Sequence, residues 1–350
     1  MQAIKDMWLI QIEITNACFR ECVNCTRFVG HHKNPFFMDI KTVEKAIDSL
    51  EGFPGGIGIM GGEPTLHPQF YEICQLVQKK VPPEKRFLWS SGYNWKDYRS
   101  VIRRTFADRV YYNEHKDTTQ KHQPMLLAID DVVEDKAFMK ELIDKCWMQE
   151  RWSGSINPNG CFFCEIAAAL DVLFEGPGGY PIEKGWWDKT PEQFQDQVKR
   201  YCYRCGAALP MPPVLHIEKK DYVSVGNYGK LEELNTPRFL KNRVRPIEKK
   251  YSKAEIEEFA KDWCPWNYIG DEGRGANIFN MYGLIGGLII RAYVNIKRRL
   301  KKFNLRETDI SMSLTEYLTN KKNRNNIESL ILKMLQIKFN IYSRLYLQKV

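Results

Sequence analysis

The chain has 350 residues, 43% hydrophobic and 27% charged, the composition of an ordinary soluble globular protein with enough chain to bury a sizeable core in one large domain or two medium ones. Its net charge of +9 is unevenly placed: residues 277–350 carry 14 Lys/Arg against 4 Asp/Glu, a net of +10, so the preceding 276 residues sum to −1. A near-neutral body with a basic tail argues against a nucleic-acid binder, whose working domain should carry the basic residues.

No charged-then-apolar leader opens the chain, so the expectation is a cytoplasmic protein whose ten cysteines bind metal or do redox chemistry rather than form a disulfide framework. The segment WLIQIEI, residues 8–14, reads as a strand that ends where Cys18, Cys22 and Cys25 begin. IKTVEKAIDSL places Ile40, Val43, Ile47 and Leu50 at helical spacing, and GIGIMGG is a short apolar run breaking into glycines, as a buried parallel strand does. FYEICQLVQKKV is helical, with Cys74 a buried apolar thiol beside Ile73; RFLWSSG is a strand, YRSVIRRTF a helix, RVYYNEH and PMLLAID two more strands, and DKAFMKELIDKCW a helix. Alternating strands and helices over residues 8–148 predict repeated βα units and a parallel sheet curling into a partial (β/α)6 TIM-like barrel. Chemistry in such sheets sits at the carboxyl ends of strands. There the three cysteines follow strand one, Gly61, Gly62, Glu63 and Pro64 follow strand two, and Ser90, Ser91 and Gly92 follow strand three.

Past residue 150 the pattern changes. SINPNGCFFCEIAAALDVLF reads as a strand, a turn, a second strand and a short helix, and TPEQFQDQVKRYCYRCGAA as a helix ending in a cysteine pair. Residues 206–275 read as irregular. The pairs Cys161/Cys164 and Cys202/Cys205, with Cys146 and Cys264 in addition, make a strong metal signal that zinc or an iron–sulfur cluster satisfies equally. The expected division is 1–148 for the barrel, 149–275 for a small cysteine-rich module and 276–350 for a helical basic tail.

Three thiolates in a tight loop can hold three irons of a four-iron cluster and leave the fourth open. Cys18-x3-Cys22-x2-Cys25 followed by MGGEPTLHP at residues 60–68 resembles the radical S-adenosylmethionine superfamily, and SSG stands where that family often makes a ribose or carboxylate contact. The resemblance covers residues 8 to about 205. It implies a [4Fe-4S] cluster on Cys18, Cys22 and Cys25, S-adenosyl-L-methionine chelated at the open iron, and Glu63 accepting from the ligand's ammonium. Gly61 and Gly62 would give the ligand close access to the backbone, since neither carries a Cβ. Cleavage of the sulfonium would then yield a 5′-deoxyadenosyl radical that abstracts hydrogen from substrate. An aromatic residue often precedes the third cysteine in that family and packs on adenine; here it is Asn24, which leaves Phe28 or Trp89 as substitutes, Trp89 being also readable as a core or rim aromatic, just as His67 reads as a structural turn residue.

INPNGCFFC is similar to the hairpin that opens SPASM or twitch extensions in the superfamily, which hold auxiliary four-iron clusters. That similarity implies one auxiliary [4Fe-4S] cluster on Cys146, Cys164, Cys202 and Cys205, with Cys161 spare or replacing Cys146. Cys264, in DWCPWN, reads as a core residue, a ligand or a catalytic thiol returning hydrogen to a substrate radical. The tail sets an uncharged run, residues 277–290, beside KRRLKK, which suits either a helix packed on the barrel or one lying at the inner membrane surface.

The expected partners are a small-molecule substrate, with carbohydrate first among the classes and a peptide the alternative, and an electron donor such as flavodoxin or ferredoxin. The expected outcome is oxidation, elimination or epimerisation. A non-catalytic zinc-bound scaffold tethered at a membrane is the reading of another class.

Overall fold

The computed structural model describes residues 2–112, 121–151, 154–211, 214–215 and 218–263. The chain divides into two units, Met1–Gly270 and Asp271–Val350, and all described residues belong to the first. Cys264 and the basic tail lie outside the described residues, among which no helix is long and apolar enough to cross a membrane.

Strand β1, Leu9–Thr15, is buried along its whole length, with Ile10, Ile12 and Ile14 alternating with the buried polar residues Gln11, Glu13 and Thr15, as in a central strand covered on both faces. It pairs in parallel with β2, Gly56–Gly61; β2 pairs in parallel with β3, Arg86–Ser90, and β3 with β4, Val110–Tyr112. Helices α1, Ile40–Ser49, α2, Phe70–Lys80, and α3, Trp95–Phe106, connect or follow these strands. Asp39 starts α1 by accepting from the backbone N–H groups of Lys41 and Thr42. The helices bury Val43, Ile47, Phe70, Ile73, Val77 and Ile102 against Ile10, Ile12, Ile57, Ile59 and Leu88 of the sheet. Each such residue contributes roughly 1.5–3 kcal/mol, so packing rather than propensity holds the helix layer.

After β4 the alternation stops. PMLLAID is not a strand: Pro124 opens a turn, and Ile129–Val132 is a short helix. The carbonyls of Met125 and Leu126 accept from the N–H groups of Gly206 and Ser224, so this apolar run is buried by later segments instead of by pairing. The pair β5, Lys121–His122, and β8, Val214–Leu215, is separate and antiparallel. The chain rejoins the sheet at its other side, where β6, Gly154–Asn157, lies parallel to β1 and β7, Gly160–Phe162, folds back antiparallel to β6. The result is a mixed α/β fold with a mostly parallel six-stranded sheet ordered β4-β3-β2-β1-β6-β7. It is consistent with a partial TIM-like architecture but holds five parallel strands rather than six sequential βα units. The hairpin assigned from sequence to the module beyond residue 148 is hydrogen-bonded into this sheet.

Residues 206–275 are also more regular than expected in the part described. β9, Asp221–Ser224, and β10, Val244–Ile247, are parallel, joined through helices Val225–Glu233 and Pro237–Leu240, and helix Lys253–Asp262 follows with a Ser252/Glu255 capping box.

Candidate functional site

The site begins where β1 and β2 end. Their register shifts between Glu13 and Thr15, and the backbones stay paired beyond it: Gly62 N–H donates to the Thr15 carbonyl at 2.8 Å and Glu63 N–H to the Ala17 carbonyl at 2.7 Å. A Cβ on Gly61 would stand 1.9 Å from the Thr15 oxygen, and one on Gly62 2.3 Å from the Ala17 oxygen. The glycines therefore let strand two press against the loop that carries Cys18, a different role from the ligand access expected of them. Gly62→Ala should part these backbones at a cost of about 1–3 kcal/mol. The expected result is a melting midpoint lower by several degrees, together with faster alkylation of Cys18; an unchanged midpoint and rate would remove this role.

Glu63 is fully buried and caps the turn Pro64–Leu66. One carboxylate oxygen accepts from Thr65 N–H (3.1 Å), the Thr65 hydroxyl (2.7 Å) and the Ser90 hydroxyl (2.9 Å). The other accepts from Ser91 N–H (2.8 Å) and the Ser91 hydroxyl (2.5 Å). Five donors thus converge on one carboxylate, and the segments after strands two and three form one hydrogen-bonded unit. The resemblance expects Glu63 to accept from a ligand's ammonium; in the structure its carboxylate is met by the hydroxyls of Thr65, Ser90 and Ser91. His67 is buried and structural, its Nε2 at 2.9 Å from the Met38 carbonyl and its Nδ1 accepting from Gln69 N–H at 3.1 Å. Burial holds its pKa below the usual imidazole value.

Cys18, Cys22 and Cys25 are part-exposed, whereas Cys74 and Cys161 are fully buried. Arg20 N–H donates to the Cys18 sulfur at 3.4 Å. Burial pushes the Cys18 and Cys22 thiols up to about 12, and the Cys25 thiol adds to the shift in both, so the three sulfurs lie within electrostatic reach of one another; Glu63 acts on Cys18 as well. Among the described residues no three or more His, Cys, Asp or Glu side chains are grouped at ligating distance. Asn24 is buried: its backbone takes φ 49°, its N–H donates to Asp221 at 2.6 Å, and its side-chain oxygen accepts from Tyr222 N–H at 3.0 Å. Phe28 is in the core, and Trp89 packs with Leu9, Phe87 and Tyr111. An exposed pair was missed from sequence: Phe19, between the first two cysteines, stacks on Tyr93, just after SSG, with ring centroids 4.2 Å apart.

The sheet face turned away from the helices is polar on one side and aromatic on the other. Buried Arg27 forms ion pairs with Glu13 (3.2 Å) and Glu165 (2.5 Å) and donates to Gln11 (2.6 Å). Burial raises the Glu13 pKa, Arg27 opposes that shift, and Glu165 adds to it. Gln11 Nε2 and Arg27 Nε are buried donors with no hydrogen-bond partner among the described residues. Across β2, whose Gly58 leaves room for the indole of Trp89, stand Phe87, Trp89 and Tyr111, the last two stacked with centroids 4.8 Å apart.

A second site collects the later cysteines. Cys146, Cys164, Cys202 and Cys205 line one cavity of about 30 Å³ with Phe163 and Val198. Cys164 stands at the N-cap of helix Glu165–Leu173. Burial raises Cys202 and Cys205 well above the ordinary thiol value and pushes Cys164 up to about 12, and neighbouring thiols of the group add to each shift. Ala207 N–H donates to the Cys205 sulfur at 3.3 Å. Cys161 stands apart, its thiol directed to the Pro181 carbonyl at 3.7 Å.

No family model matches the chain, and no curated protein matches its sequence. The solved structures it is similar to include two of BtrN. The crystal structure of BtrN in complex with AdoMet and 2-DOIA is 14% identical, with TM-score 0.36, over 57% of this chain and 88% of that one. That of selenomethionine BtrN in an open conformation is 14% identical, with TM-score 0.35, over 57% and 86%. A likeness this distant decides neither chemistry nor substrate. The fold and site themselves define a mixed α/β protein with two cysteine groups, one at the carboxyl rim of a parallel sheet and one beneath the helix that follows β7.

Proposed function

We propose that this protein is a radical S-adenosylmethionine enzyme, with a [4Fe-4S] cluster on Cys18, Cys22 and Cys25 and an auxiliary [4Fe-4S] cluster on Cys146, Cys164, Cys202 and Cys205. The observation that carries the reading is the union of three segments at the ends of adjacent parallel strands, the Cys18 loop bonded to Gly62 and Glu63, and Glu63 bonded to Ser90 and Ser91. When bound, the first cluster supplies the electron that cleaves the sulfonium and yields a 5′-deoxyadenosyl radical. Gly61 and Gly62 hold the cysteine loop against β2. Ser90 and Ser91 turn their hydroxyls toward the ligand's carboxylate and free Glu63 to accept from its ammonium, so the same network serves with and without ligand. Phe19 and Tyr93 flank this rim.

The substrate is a small polyhydroxylated molecule. Planar polar groups (Gln11, Glu13 and Arg27) beside aromatic rings (Trp89 and Tyr111) suit a ring that offers hydroxyls on its edge and C–H bonds on its face. The unpartnered buried donors Gln11 Nε2 and Arg27 Nε support this class over a peptide. A flavodoxin- or ferredoxin-type protein delivers the electron.

Burial and neighbouring thiols, Cys146 among them, raise Cys164, Cys202 and Cys205, and a cation that takes the group as thiolates would stabilise it. That four cysteines line one cavity also suits a second reading, in which this group holds a single zinc ion. Anaerobic reconstitution and metal analysis decide: about eight irons per chain are expected, and about four irons with one zinc would establish the second reading. Zinc without iron would remove the enzyme assignment. Cys164→Ala should lose the second site's metal, whereas Cys161→Ala should leave metal content unchanged; the reverse would overturn the ligand choice.

A further inference from the structure

The first cysteine loop is held mainly from outside the sheet that carries it. The Val23 carbonyl lies 2.7 Å from His122 Nδ1, the Glu21 carbonyl accepts from Arg238 at 3.3 Å, and Asn24 N–H donates to Asp221 at 2.6 Å. Asp221, on β9, is 2% exposed and also meets His31 Nε2 at 2.8 Å and Arg238 Nε at 2.6 Å, the latter an ion pair without hydrogen-bond alignment. Arg238 reaches the loop only across Gly30, where a Cβ would stand 2.5 Å from its Cδ. Asn24 adopts a left-handed conformation immediately before Cys25, and that geometry is strained for a residue with a Cβ unless its surroundings fix it.

We infer that Asp221 is a positioning residue for the first cluster: bound to Asn24 N–H, His31 and Arg238, it sets the backbone turn between Cys22 and Cys25. The inference rests on the reading of these cysteines as cluster ligands, and it assigns the β9–β10 unit a function, that of a clamp on the cluster loop. Asp221 itself contacts no ligand; it acts through Asn24 and the loop.

The test reads the apo protein and the loaded protein separately. In wild-type apo protein the Asn24 amide should exchange with deuterium as slowly as the amides of β9, and Asp221→Asn should raise the alkylation rate of Cys22 and Cys25 at least tenfold while Cys74 stays unreactive. On anaerobic reconstitution Asp221→Asn should lose the iron of the first group and keep the metal of the second. Unchanged alkylation and unchanged iron in a folded Asp221→Asn variant would overturn the proposal, as would fast exchange at Asn24 in the wild type, which needs no variant to fold. Asn24→Gly keeps the left-handed turn and removes only the Tyr222 anchor; it should raise alkylation severalfold, and a rate equal to wild type would count against the clamp. If wild-type protein itself takes no iron at the first group, the enzyme reading fails while the exchange and alkylation results still judge the clamp.

Discussion

Cys25→Ala, reconstituted anaerobically beside the wild type, is expected to retain about four irons per chain where the wild type takes about eight, and to form no 5′-deoxyadenosine under dithionite. The halving follows from the separation of the two cysteine groups. Cys18, Cys22 and Cys25 act electrostatically on one another at the rim, and Cys146, Cys164, Cys202 and Cys205 surround their own cavity. Loss of one thiolate from a set of three leaves two, too few to keep a four-iron cluster that already lacks a fourth protein ligand. The far helix, capped by Cys164, does not depend on it. Electron paramagnetic resonance of the reduced variant should show one cluster signal that S-adenosylmethionine does not alter. A variant that keeps all its iron and a ligand-sensitive signal would take Cys25 out of the ligand set.

Glu63→Gln should be the most damaging change that leaves every cysteine in place. The carboxylate accepts five hydrogen bonds in a fully buried position. An amide offers one acceptor oxygen. The Ser90, Ser91 and Thr65 hydroxyls can turn to accept from its NH2, but the Ser91 and Thr65 N–H groups can only donate, so whichever way the amide is turned one of them loses its acceptor. At roughly 1–3 kcal/mol for a buried donor left unmade, the melting midpoint should fall by several degrees. Iron uptake at the first group should survive better than ligand binding, because the hydrogen bond from Glu63 to the cysteine loop is made by its backbone N–H, to the Ala17 carbonyl, which the substitution keeps. Removing the Ser91 hydroxyl in the same chain should recover part of the lost stability, which a double-mutant cycle reads as coupling. Equal stability of wild type and Glu63→Gln would contradict the saturated carboxylate.

Much of the rim was legible in the sequence because period and punctuation agree there. Val43 and Ile47, or Phe70, Ile73 and Val77, fall on single helix faces and are the residues buried. Apolar strands then break into cysteines, GGEP or SSG where the sheet ends. What failed depended on distant partners. PMLLAID is apolar because later segments cover it, and a short apolar run does not say what buries it. β9 and β10 lie amid glycines, prolines and charges, so DYVS and VRPI carry little periodic signal, and their parallel pairing is set by the helices between them. The return of the chain to pair β6 with β1 is a choice of sheet edge that local sequence does not encode. That Thr65, Ser90 and Ser91 gather on the Glu63 carboxylate is a contact between loops that local sequence does not encode. Asn24 reads as a missing aromatic until Asp221, almost two hundred residues later, supplies its purpose.

The most direct measurement is 5′-deoxyadenosine formation by anaerobically reconstituted wild-type protein given S-adenosylmethionine and dithionite. The account predicts release of 5′-deoxyadenosine and methionine in equal amounts, dependent on iron and absent without reductant. Protein that carries a full complement of iron and sulfide and yet cleaves no S-adenosylmethionine would contradict it.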